Sequence, residues 1–560
     1  TLTNFDHMIV RADIDGVPYW LDGTNGGLRA TNMIEVPRFR YALPLREGGT
    51  DLQEMAMRPQ AVPDQTVSIK IDQSAGVGLP AIYDVRIAIT GATARQFQAL
   101  SLIDDPAQKK DALYGTVSTI LGDHQPVDMQ LAFDSDSGIA TVTAHGLVTS
   151  PWDTNATRAE LDVPYQVADS FGFDVDRARP DIADLPVSVP GPIYFRREIE
   201  WLLPEGETQF RLLGNPQIDE VIGGTRLSSQ TELTAPVLQI TEEVQSLAWE
   251  FPASDLPDVR RASLRLKRSL PRLRATSPVR RAWEYRGDAS ARLEPIERIY
   301  TQLVADADSD DTSALLNRFN FRFQTGDFEG ALADIDAAIA RDASADNYLS
   351  RGEVHYNLGD FDAALADHVA VADIDPDYTI NSRRIELLAL LGRADEAVAL
   401  VDEFAYLFED PKSEAQLRSY ALGFAGQAQE GLDLLRDELS IEPEDAGLLN
   451  SACWHAGIFD LVTEETLETC TRAVEEAQNS SGAIDSRALA LYRMGRAEEA
   501  LRDLDVALAR SPGQHSSRYL RGVVKRSLGR EAEAREDIES ALHAAPGIAS
   551  LYSLWGLPPK

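Results

Sequence analysis

The chain has 560 residues, 44% of them hydrophobic, which is enough for about two to four domains with cores of their own. Its 90 acidic and 53 basic residues give a net charge of -37, which repels nucleic acid and anionic membranes, so nucleic-acid binding is not expected. No apolar run reaches the roughly 18 residues of a membrane span, so no transmembrane segment is expected. The chain opens at Thr1 rather than Met and directly with strand-like sequence, which predicts a truncated or processed protein, so a missing signal peptide says nothing about the parent protein.

The first predicted element is a β-hairpin, in a predicted N-terminal domain of residues 1–58. Strand-like sequence runs from Phe5 to Ile14 and from Val17 to Leu21, and between the two runs lies Asp15-Gly16. An Asp-Gly dipeptide between two alternating apolar runs favours a two-residue hairpin turn. This turn fixes which residues of the two strands face each other.

In that register one histidine and one aspartate come together. His7 lies opposite Thr24, and Asp22 is its diagonal neighbour on the same face, close enough to touch. A carboxylate beside an imidazole fixes the tautomer of the ring and stabilises its protonated form, as the general base of a nucleophile requires. His7 and Asp22 are therefore candidate catalytic residues, although such a pair also occurs on hairpins by chance.

Residues 59–289 are predicted to form a β-rich α+β domain. Between Ala92 and Leu121 the spacing instead predicts two short helices inserted in the sheet. The predicted strands are Thr66 to Ile71, Ala81 to Thr90, Asp128 to Phe133, Ile139 to His145, Ile193 to Leu203, Thr208 to Leu213, Leu227 to Leu233 and Val237 to Glu243.

The end of this domain, residues 260–286, is a basic connector. It contains Arg260, Arg261, Arg265, Lys267, Arg268, Arg272, Arg274, Arg280, Arg281 and Arg286. One interpretation is a docking site for an anionic partner or for lipid headgroups. The favoured one is structural: the alternation from Leu264 to Lys267 predicts an edge strand whose charges prevent edge-to-edge pairing.

From about residue 290 the strand pattern gives way to a repeat of about 34 residues. Glycines recur at one point of the repeat, and an alanine follows most of them five residues later. The glycines are Gly326, Gly359, Gly392, Gly426, Gly495 and Gly529, and the alanines are Ala331, Ala364, Ala397, Ala500 and Ala534. The pattern resembles the tetratricopeptide repeat, in which a glycine ends the first helix of a pair and small residues let the two helices touch.

The resemblance predicts an all-α solenoid over residues 290–560 with about seven helix pairs. The pairs are expected to start near 312, 345, 378, 412, 447, 481 and 515, and the last residues, from Ser550, to cap the array. The third to fifth pairs depart from the pattern at Ile385, Gly431 and Trp454. By the resemblance, the array binds partner proteins or peptides, through concave residues that include Tyr356, Asn357, Tyr492, Arg493 and Arg526.

The chain has only two cysteines, Cys453 and Cys470, both in the fifth pair. They are either two buried apolar thiols or a disulfide that staples a degenerate repeat. The sequence contains no zinc-ligand spacing, no calcium-loop pattern and no phosphate-binding glycine motif, so neither a metal nor a cofactor is expected.

A second resemblance covers both ends of the chain. The stretch from Phe5 to Thr24, followed by Tyr41-Ala42-Leu43-Pro44, resembles the end of the transglutaminase-like core of bacterial envelope proteins in the papain-like superfamily. Three later stretches resemble the repeat region of such proteins, namely Ser451-Ala452-Cys453-Trp454, Thr469-Cys470 and Ser486-Arg487-Ala488. By this resemblance His7 and Asp22 are the second and third members of a Cys-His-Asp triad, in a cysteine acyl-transferase or amidase of the periplasm or envelope. A cytoplasmic location remains the alternative.

The chain departs from this family at the nucleophile. The cysteine of the family lies before the histidine, and none of the six residues before His7 is Cys. The chain is therefore expected to be the C-terminal part of a larger precursor or one piece of a nicked enzyme, with the missing N-terminal part as a further partner. It is expected to be inactive alone. The alternative function is a non-catalytic scaffold that binds partner proteins through the repeats.

Overall fold

A computed structural model of the chain describes residues 7–23, 34, 36–37, 39–155, 158–163, 183–189, 191, 193–206, 209–378, 380–408 and 410–557. The contacts divide the chain into two units. One consists of Thr1–Thr154, Arg158–Arg280 and Ala291–Leu303, and the other of Asn155–Thr157, Arg281–Ser290 and Val304–Lys560. Most of the segments predicted as 1–58 and 59–289 thus fall in one β-rich unit. Among the helices of the described residues, none combines the length and the apolar composition needed to cross a bilayer.

The β-rich unit is built on an eight-stranded sheet. The strands of all the sheets in the described residues are, in chain order, β1 Val10–Ile14, β2 Val17–Leu21, β3 Tyr41–Ala42, β4 Gln53–Glu54, β5 Gln65–Asp72, β6 Ala81–Ile89, β7 His124–Asp134, β8 Ile139–Val148, β9 Asp153–Asn155, β10 Arg158–Asp162, β11 Val187–Ser188, β12 Tyr194–Leu202, β13 Phe210–Leu213, β14 Gln217–Ile222, β15 Thr225–Thr234, β16 Val237–Ser246, β17 Glu250–Phe251 and β18 Arg272–Ala275. The order in the large sheet is β14-β15-β16-β12-β5-β6-β8-β7, and only β12 and β5 are parallel. Each of the eight strands predicted between Thr66 and Glu243 overlaps an observed one.

Alternation along the strands places the main core of this unit on one face of the large sheet. Tyr83, Val85 and Ile87 of β6 are buried, whereas Asp84 and Arg86 between them are exposed. The helices α1 Gly91–Ser101 and α2 Pro106–Leu121 contribute to the same core, as does a four-stranded sheet of order β13-β18-β10-β9. The two inserted helices are therefore confirmed.

The basic connector is a correction to the sequence prediction. The predicted edge strand from Leu264 to Lys267 lies within a helix, α3 Leu256–Ser269. Its apolar contacts recur every three or four residues, at Leu256, Val259, Ala262 and Leu266, which is the period of a helix and not of a strand. Leu264, the other leucine of the local alternation, is 56% exposed. The run from Leu264 to Lys267 alternates like a strand, but the apolar residues of the whole segment have the period of a helix.

Over its described residues, the helical unit contains seven helix pairs and a final helix, as the repeats predict. The helices that follow α3 are α4 Glu294–Asp306, α5 Ser313–Thr325, α6 Phe328–Arg341, α7 Ala345–Leu358, α8 Phe361–Ile374, α9 Ser382–Leu390, α10 Ala394–Glu403, α11 Pro411–Phe424, α12 Ala428–Ile441, α13 Ala446–Ile458, α14 Glu464–Glu476, α15 Ser481–Arg493, α16 Ala497–Arg510, α17 His515–Ser527, α18 Glu531–Ala544 and α19 Ile548–Leu554. The pairs run from α5/α6 to α17/α18, and α19 follows the seventh pair.

Glycines occupy positions of the helix pairs at which the repeat pattern requires a small residue. Gly359 ends α7 with φ +84°, a left-handed conformation that favours glycine. Gly522 on α17 lies so close to α18 that a Cβ atom would stand 2.6 Å from the Ile538 side chain. The glycines therefore allow the turn between the two helices and their close packing.

Ion pairs between the two helices of a repeat also recur, and the sequence analysis missed them. An arginine of the first helix contacts an aspartate 16 residues later in the second helix. The pairs are Arg318–Asp334, Arg351–Asp367, Arg487–Asp503 and Arg521–Asp537, with N to O distances of 2.6 to 2.7 Å. These arginines recur at the repeat length, and that spacing is the sequence signal from which the ion pairs could have been predicted.

Candidate functional site

The first helices of five of the pairs, among the described residues, line a groove of about 860 Å³ in the helical unit. The lining residues come from α7, α9, α11, α13, α17 and α19, together with Ala545 at the end of α18. Within the described residues, none of the second helices from α6 to α16 contributes a lining residue. The groove is thus the concave surface that stacked helix pairs create.

Two of the five residues predicted to bind a partner line this groove. They are Tyr356 and Asn357 at the end of α7. The other three have different surroundings: Tyr492 packs against the core of the last repeats, and Arg526 lies 3.5 Å from Glu531. Arg493 donates hydrogen bonds to the carbonyl oxygens of Gly457 and Trp555, at 2.9 and 2.5 Å. These three residues are not part of the groove.

A polar cluster around Glu386 forms one wall of the groove. Its carboxylate accepts hydrogen bonds from the phenol groups of Tyr356 and Tyr420, at 3.1 and 3.2 Å, and from Arg383 at 2.7 Å. The Arg383 guanidinium also lies over the Tyr356 ring, 3.7 Å from its centre. Burial, and then the nearby Glu386 carboxylate, raise the pKa values of both phenols, so they stay protonated and donate. The cluster is a fixed polar surface and not an acid–base centre.

The histidines of the groove are neutral near pH 7. Burial lowers the pKa of His455, and Nε2 of its ring contacts the carbonyl oxygen of Ala428 at 2.8 Å. Burial, together with Arg518 and His543, lowers the pKa of His515 to about 4. The charged groups among the described lining residues are therefore Arg383 and Glu386, which neutralise each other. The groove is close to neutral in a chain whose net charge is -37.

The groove also has aromatic side chains that the sequence analysis did not assign to it. Trp454 was predicted only as a departure from the small-residue pattern, yet it lines the groove with Trp555. The two rings meet edge to face, with their centres 5.1 Å apart. Arg383, Glu386 and Tyr420 were missed because the third and fourth repeats match the pattern weakly. Trp454 is thus a departure from the repeat pattern that also lines the groove.

The two cysteines are bonded to each other. The Cys453 and Cys470 sulfurs are 2.02 Å apart, and both side chains are fully buried. The bond joins α13 to α14, the two helices of the fifth pair. It therefore lies directly beside Trp454 of the groove.

A separate candidate site lies on the hairpin of the β-rich unit. The strands β1 and β2 pair as predicted, and Asp15 and Gly16 of the turn have φ values of +53° and +81°, as a primed hairpin turn requires. His7 Nε2 lies 2.8 Å from Asp22 Oδ2. The His7 side chain is 30% exposed and that of Asp22 8%. Thr24, the predicted partner opposite His7, lies outside the described residues.

This geometry fixes the chemistry available to His7. A carboxylate only accepts hydrogen bonds near neutral pH, so Nε2 carries a proton and donates a hydrogen bond to the Asp22 carboxylate. The lone pair of the neutral ring is then on Nδ1, which leaves that atom as the base. The Phe39 ring lies 5.2 Å from the imidazole and restricts its rotation. The pair is oriented for a nucleophile on the Nδ1 side.

Comparison with known proteins identifies the repeats. A family model described as "Tetratricopeptide repeat" matches residues 316–379 and 486–547. These segments include the whole of the pairs α7/α8 and α17/α18, and most of the pairs α5/α6 and α15/α16. No curated protein matches the chain.

Several solved structures resemble parts of the chain at low identity. A tetratricopeptide repeat protein from Parabacteroides merdae is 13% identical over 47% of this chain and 96% of its own, with a TM-score of 0.32. MamA AMB-1 is 18% identical over 29% of this chain and 96% of its own, with a TM-score of 0.23. In the APC/C hetero-tetramer Cut9-Hcn1, the matching chain is 14% identical over 47% of this chain and 52% of its own, with a TM-score of 0.27.

The helical unit is therefore an all-helical array that carries tetratricopeptide repeats, and a β-rich region precedes it along the chain. Repeats of this kind imply protein partners.

Proposed function

We propose that the chain is a scaffold that binds a short, extended segment of a partner protein in the groove of the array. The observation that carries the proposal is the groove itself, which the first helices of the second to fifth pairs and of the seventh pair line together with α19. A volume of about 860 Å³ is in the range of pockets that enclose a small ligand or a few residues of a peptide, and it is too small for a folded domain.

The charges of the groove suggest what kind of segment it binds. Arg383 and Glu386 compensate each other, and the histidines are neutral. A charged side chain would lose its hydration in the groove without gaining an unpaired counter-charge, which is costly. Serine and glutamine side chains such as Ser451 and Gln416 offer hydrogen bonds to peptide groups instead. The proposed ligand is a neutral segment with aromatic or apolar side chains.

A random peptide library displayed on phage tests this function. The wild-type chain should enrich a common motif with few charged residues. Ser451→Arg, which places a long cation in the groove, should abolish binding of the enriched peptides. Ser440→Arg, on the exposed surface of α12, is the matched control and should bind normally. Equal enrichment by the wild type and Ser451→Arg would reject the groove as the binding site.

A second candidate function is transglutaminase-like acyl transfer or amide hydrolysis, in which His7 is the base and Asp22 orients it. The contact of 2.8 Å between the two side chains supports it. The opposite face of the hairpin adds support, because Val10, Ile14, Val17 and Leu21 are all exposed there. A further protein segment that packs on this apolar face could bring the thiol to His7.

The test restores any coding sequence that precedes Thr1 and measures acyl transfer from a glutamine peptide to a primary amine. His7→Ala and Asp22→Asn should abolish the reaction. His145→Ala is the matched control, since His145 forms a similar pair with Asp84 at 3.0 Å on the exposed face of the large sheet. Turnover that survives His7→Ala would remove the hairpin pair from the mechanism.

The proposed location is an oxidising compartment such as the bacterial periplasm or envelope. The Cys453–Cys470 bond supports it, because disulfides persist in such compartments and are rare in the cytosol. Fractionation of the native host tests the location directly, and a chain found only in the cytosolic fraction would contradict it.

A further inference from the structure

The two ends of the helical array meet. The backbone N–H of Gly547, which precedes α19, donates a hydrogen bond of 2.8 Å to the carbonyl oxygen of Asn357 at the end of α7. Helix α7 belongs to the second pair, whereas α19 follows the seventh. The array therefore makes a full turn, and one side of the groove is a seam between α7 and the start of α19.

The seam depends on two glycines that touch. A Cβ atom on Gly547 would stand 2.5 Å from the Tyr356 carbonyl oxygen and 2.9 Å from the Gly359 nitrogen. The φ of Gly547 is -65°, a value that any residue adopts, so its conformation does not require glycine. Glycine is required at position 547 because the backbone there approaches α7 too closely for a Cβ atom.

Further contacts link the ends of the array. The Gly513 position and the His515 ring both lie against Trp283, and a Cβ atom on Gly326 would stand 3.2 Å from His543 Nε2. The Gly326 contact connects the turn of the first pair to the end of the last one, and the Trp283 contacts connect the segment before α4 to the start of α17. The seam is therefore closed at two places. Gly326 of the first pair lies against His543, and the end of α7 in the second pair lies against Gly547.

The seam differs from the attachment of α19 to the last repeats. Tyr552 of α19 is 1% exposed, and its phenol donates a hydrogen bond of 2.8 Å to the Ser516 carbonyl oxygen. Arg493 holds the Trp555 carbonyl oxygen, and the Trp555 ring packs on Trp454. The contact of Gly547 with α7 consists instead of one hydrogen bond and packing between glycines. Helix α19 also contacts α9. An opening motion would therefore part α19 from α7 and α9 and leave α19 attached to the last repeats.

We infer that the contact of Gly547 with the end of α7 is a latch that closes the groove, and that the latch opens to admit the partner segment. The inference rests on the proposed function for the identity of the ligand, but the latch itself is a property of the free chain. Stacked repeats contact only their neighbours, so small rotations at each pair add up to an opening at the seam without unfolding any helix. The closed array then encloses the segment once it has entered.

Hydrogen–deuterium exchange of the full chain without any ligand tests the latch. Gly547→Ala should accelerate exchange of peptides that contain residues 354–360 and 545–550 by about five- to thirtyfold, the effect of losing one or two kcal/mol of local stability. The matched control is Gly482→Ala on α15, where a Cβ atom meets nothing within 4 Å. Exchange in Gly547→Ala equal to that in Gly482→Ala and the wild type would overturn the latch.

Native-state exchange of the unaltered chain decides the question if Gly547→Ala does not fold. The latch predicts that the Gly547 amide exchanges through a local opening whose rate does not depend on low concentrations of denaturant. Exchange of this amide only through global unfolding would overturn the inference. A separate binding experiment uses a peptide that the phage library enriched on the wild-type chain. This peptide should associate faster with Gly547→Ala than with the wild type. Failure to enrich any peptide would reject the proposed ligand and leave the exchange result to decide the latch.

Discussion

Arg197 and Glu242 are direct cross-strand partners in the middle of the large sheet, on strands β12 and β16. Arg197 Nη2 lies 2.5 Å from Glu242 Oε2, and the side chains are 2% and 0% exposed. Burial raises the pKa of Glu242 and outweighs the opposing effect of Arg197. Each of the two charged groups is stabilised by the other, because neither side chain is accessible to water.

We therefore expect Arg197→Met to lower the free energy of unfolding of the β-rich unit by about 3–5 kcal/mol, since it leaves a buried carboxylate without its partner. The adjacent Arg196 provides the control. It pairs with Glu198 and Glu243 at the surface, where its side chain is 42% exposed, so Arg196→Met should cost less than about 1 kcal/mol. Urea denaturation of both variants measures the difference, and equal losses would contradict the distinction between the two pairs.

The sequence was sufficient to predict the features that local chemistry determines. Asp15-Gly16 specified the hairpin turn and with it the approach of His7 and Asp22. The repeated glycines and alanines specified the number of helix pairs and, within a few residues, where each pair begins. Both signals act over a few residues, so a single sequence contains them in full.

The sequence was insufficient where a feature depends on distant parts of the chain. Helix α3 was missed because four alternating residues from Leu264 outweighed a helical period that spans 14 residues. The closure between Gly547 and α7 results from small rotations accumulated over six repeats, which no local pattern encodes. Arg493 was assigned to the groove by analogy of position, but the helix that follows the last pair engages it instead.

The next prediction concerns the bond between Cys453 and Cys470. Mass spectrometry of the unreduced protein should find both cysteines in one disulfide and none that alkylates. The double variant Cys453→Ala/Cys470→Ala should lose about 3 kcal/mol of stability in the array, because the bond joins two residues with a sequence separation of 17 and limits the unfolded chain. Reduction of the wild type should give a similar loss. Two free thiols in the purified native protein would contradict the bond and remove the support for an oxidising compartment.

The disulfide also leads to a prediction about activity. The chain alone should show no thiol-dependent amide hydrolysis or acyl transfer, since both its cysteines are joined in one disulfide and neither is free to act as a nucleophile. Reducing agent should not create activity, because both sulfur atoms are buried. The assay uses a glutamine peptide and a primary amine, before and after treatment with iodoacetamide. Turnover that iodoacetamide abolishes would contradict the prediction.

The last prediction concerns Asp485, a buried carboxyl group on α15 that is 4% exposed. Burial raises its pKa to about 6, against a smaller opposing effect of the hydrogen bond with Ser517. The ordinary value of an aspartate is 3.8, so the native state binds this proton more tightly than the unfolded chain. The stability associated with the group is therefore fully present below about pH 4 and is lost as the pH rises through about 6.

Asp485→Asn keeps the shape of the side chain and removes the titration. At pH 7.5 the variant should be more stable than the wild type by up to about 3 kcal/mol, at 1.36 kcal/mol for each pKa unit, and the gain should vanish near pH 4. Asp537, also 4% exposed, is the opposite control: burial acts to raise its pKa, but hydrogen bonds from Arg521 and Lys525 outweigh burial and lower it. Asp537→Asn should therefore destabilise the array at pH 7.5. Urea unfolding followed by circular dichroism at both pH values measures these changes, and a gain for Asp485→Asn that is equal at pH 4 and pH 7.5 would show that its cause is packing and not ionisation.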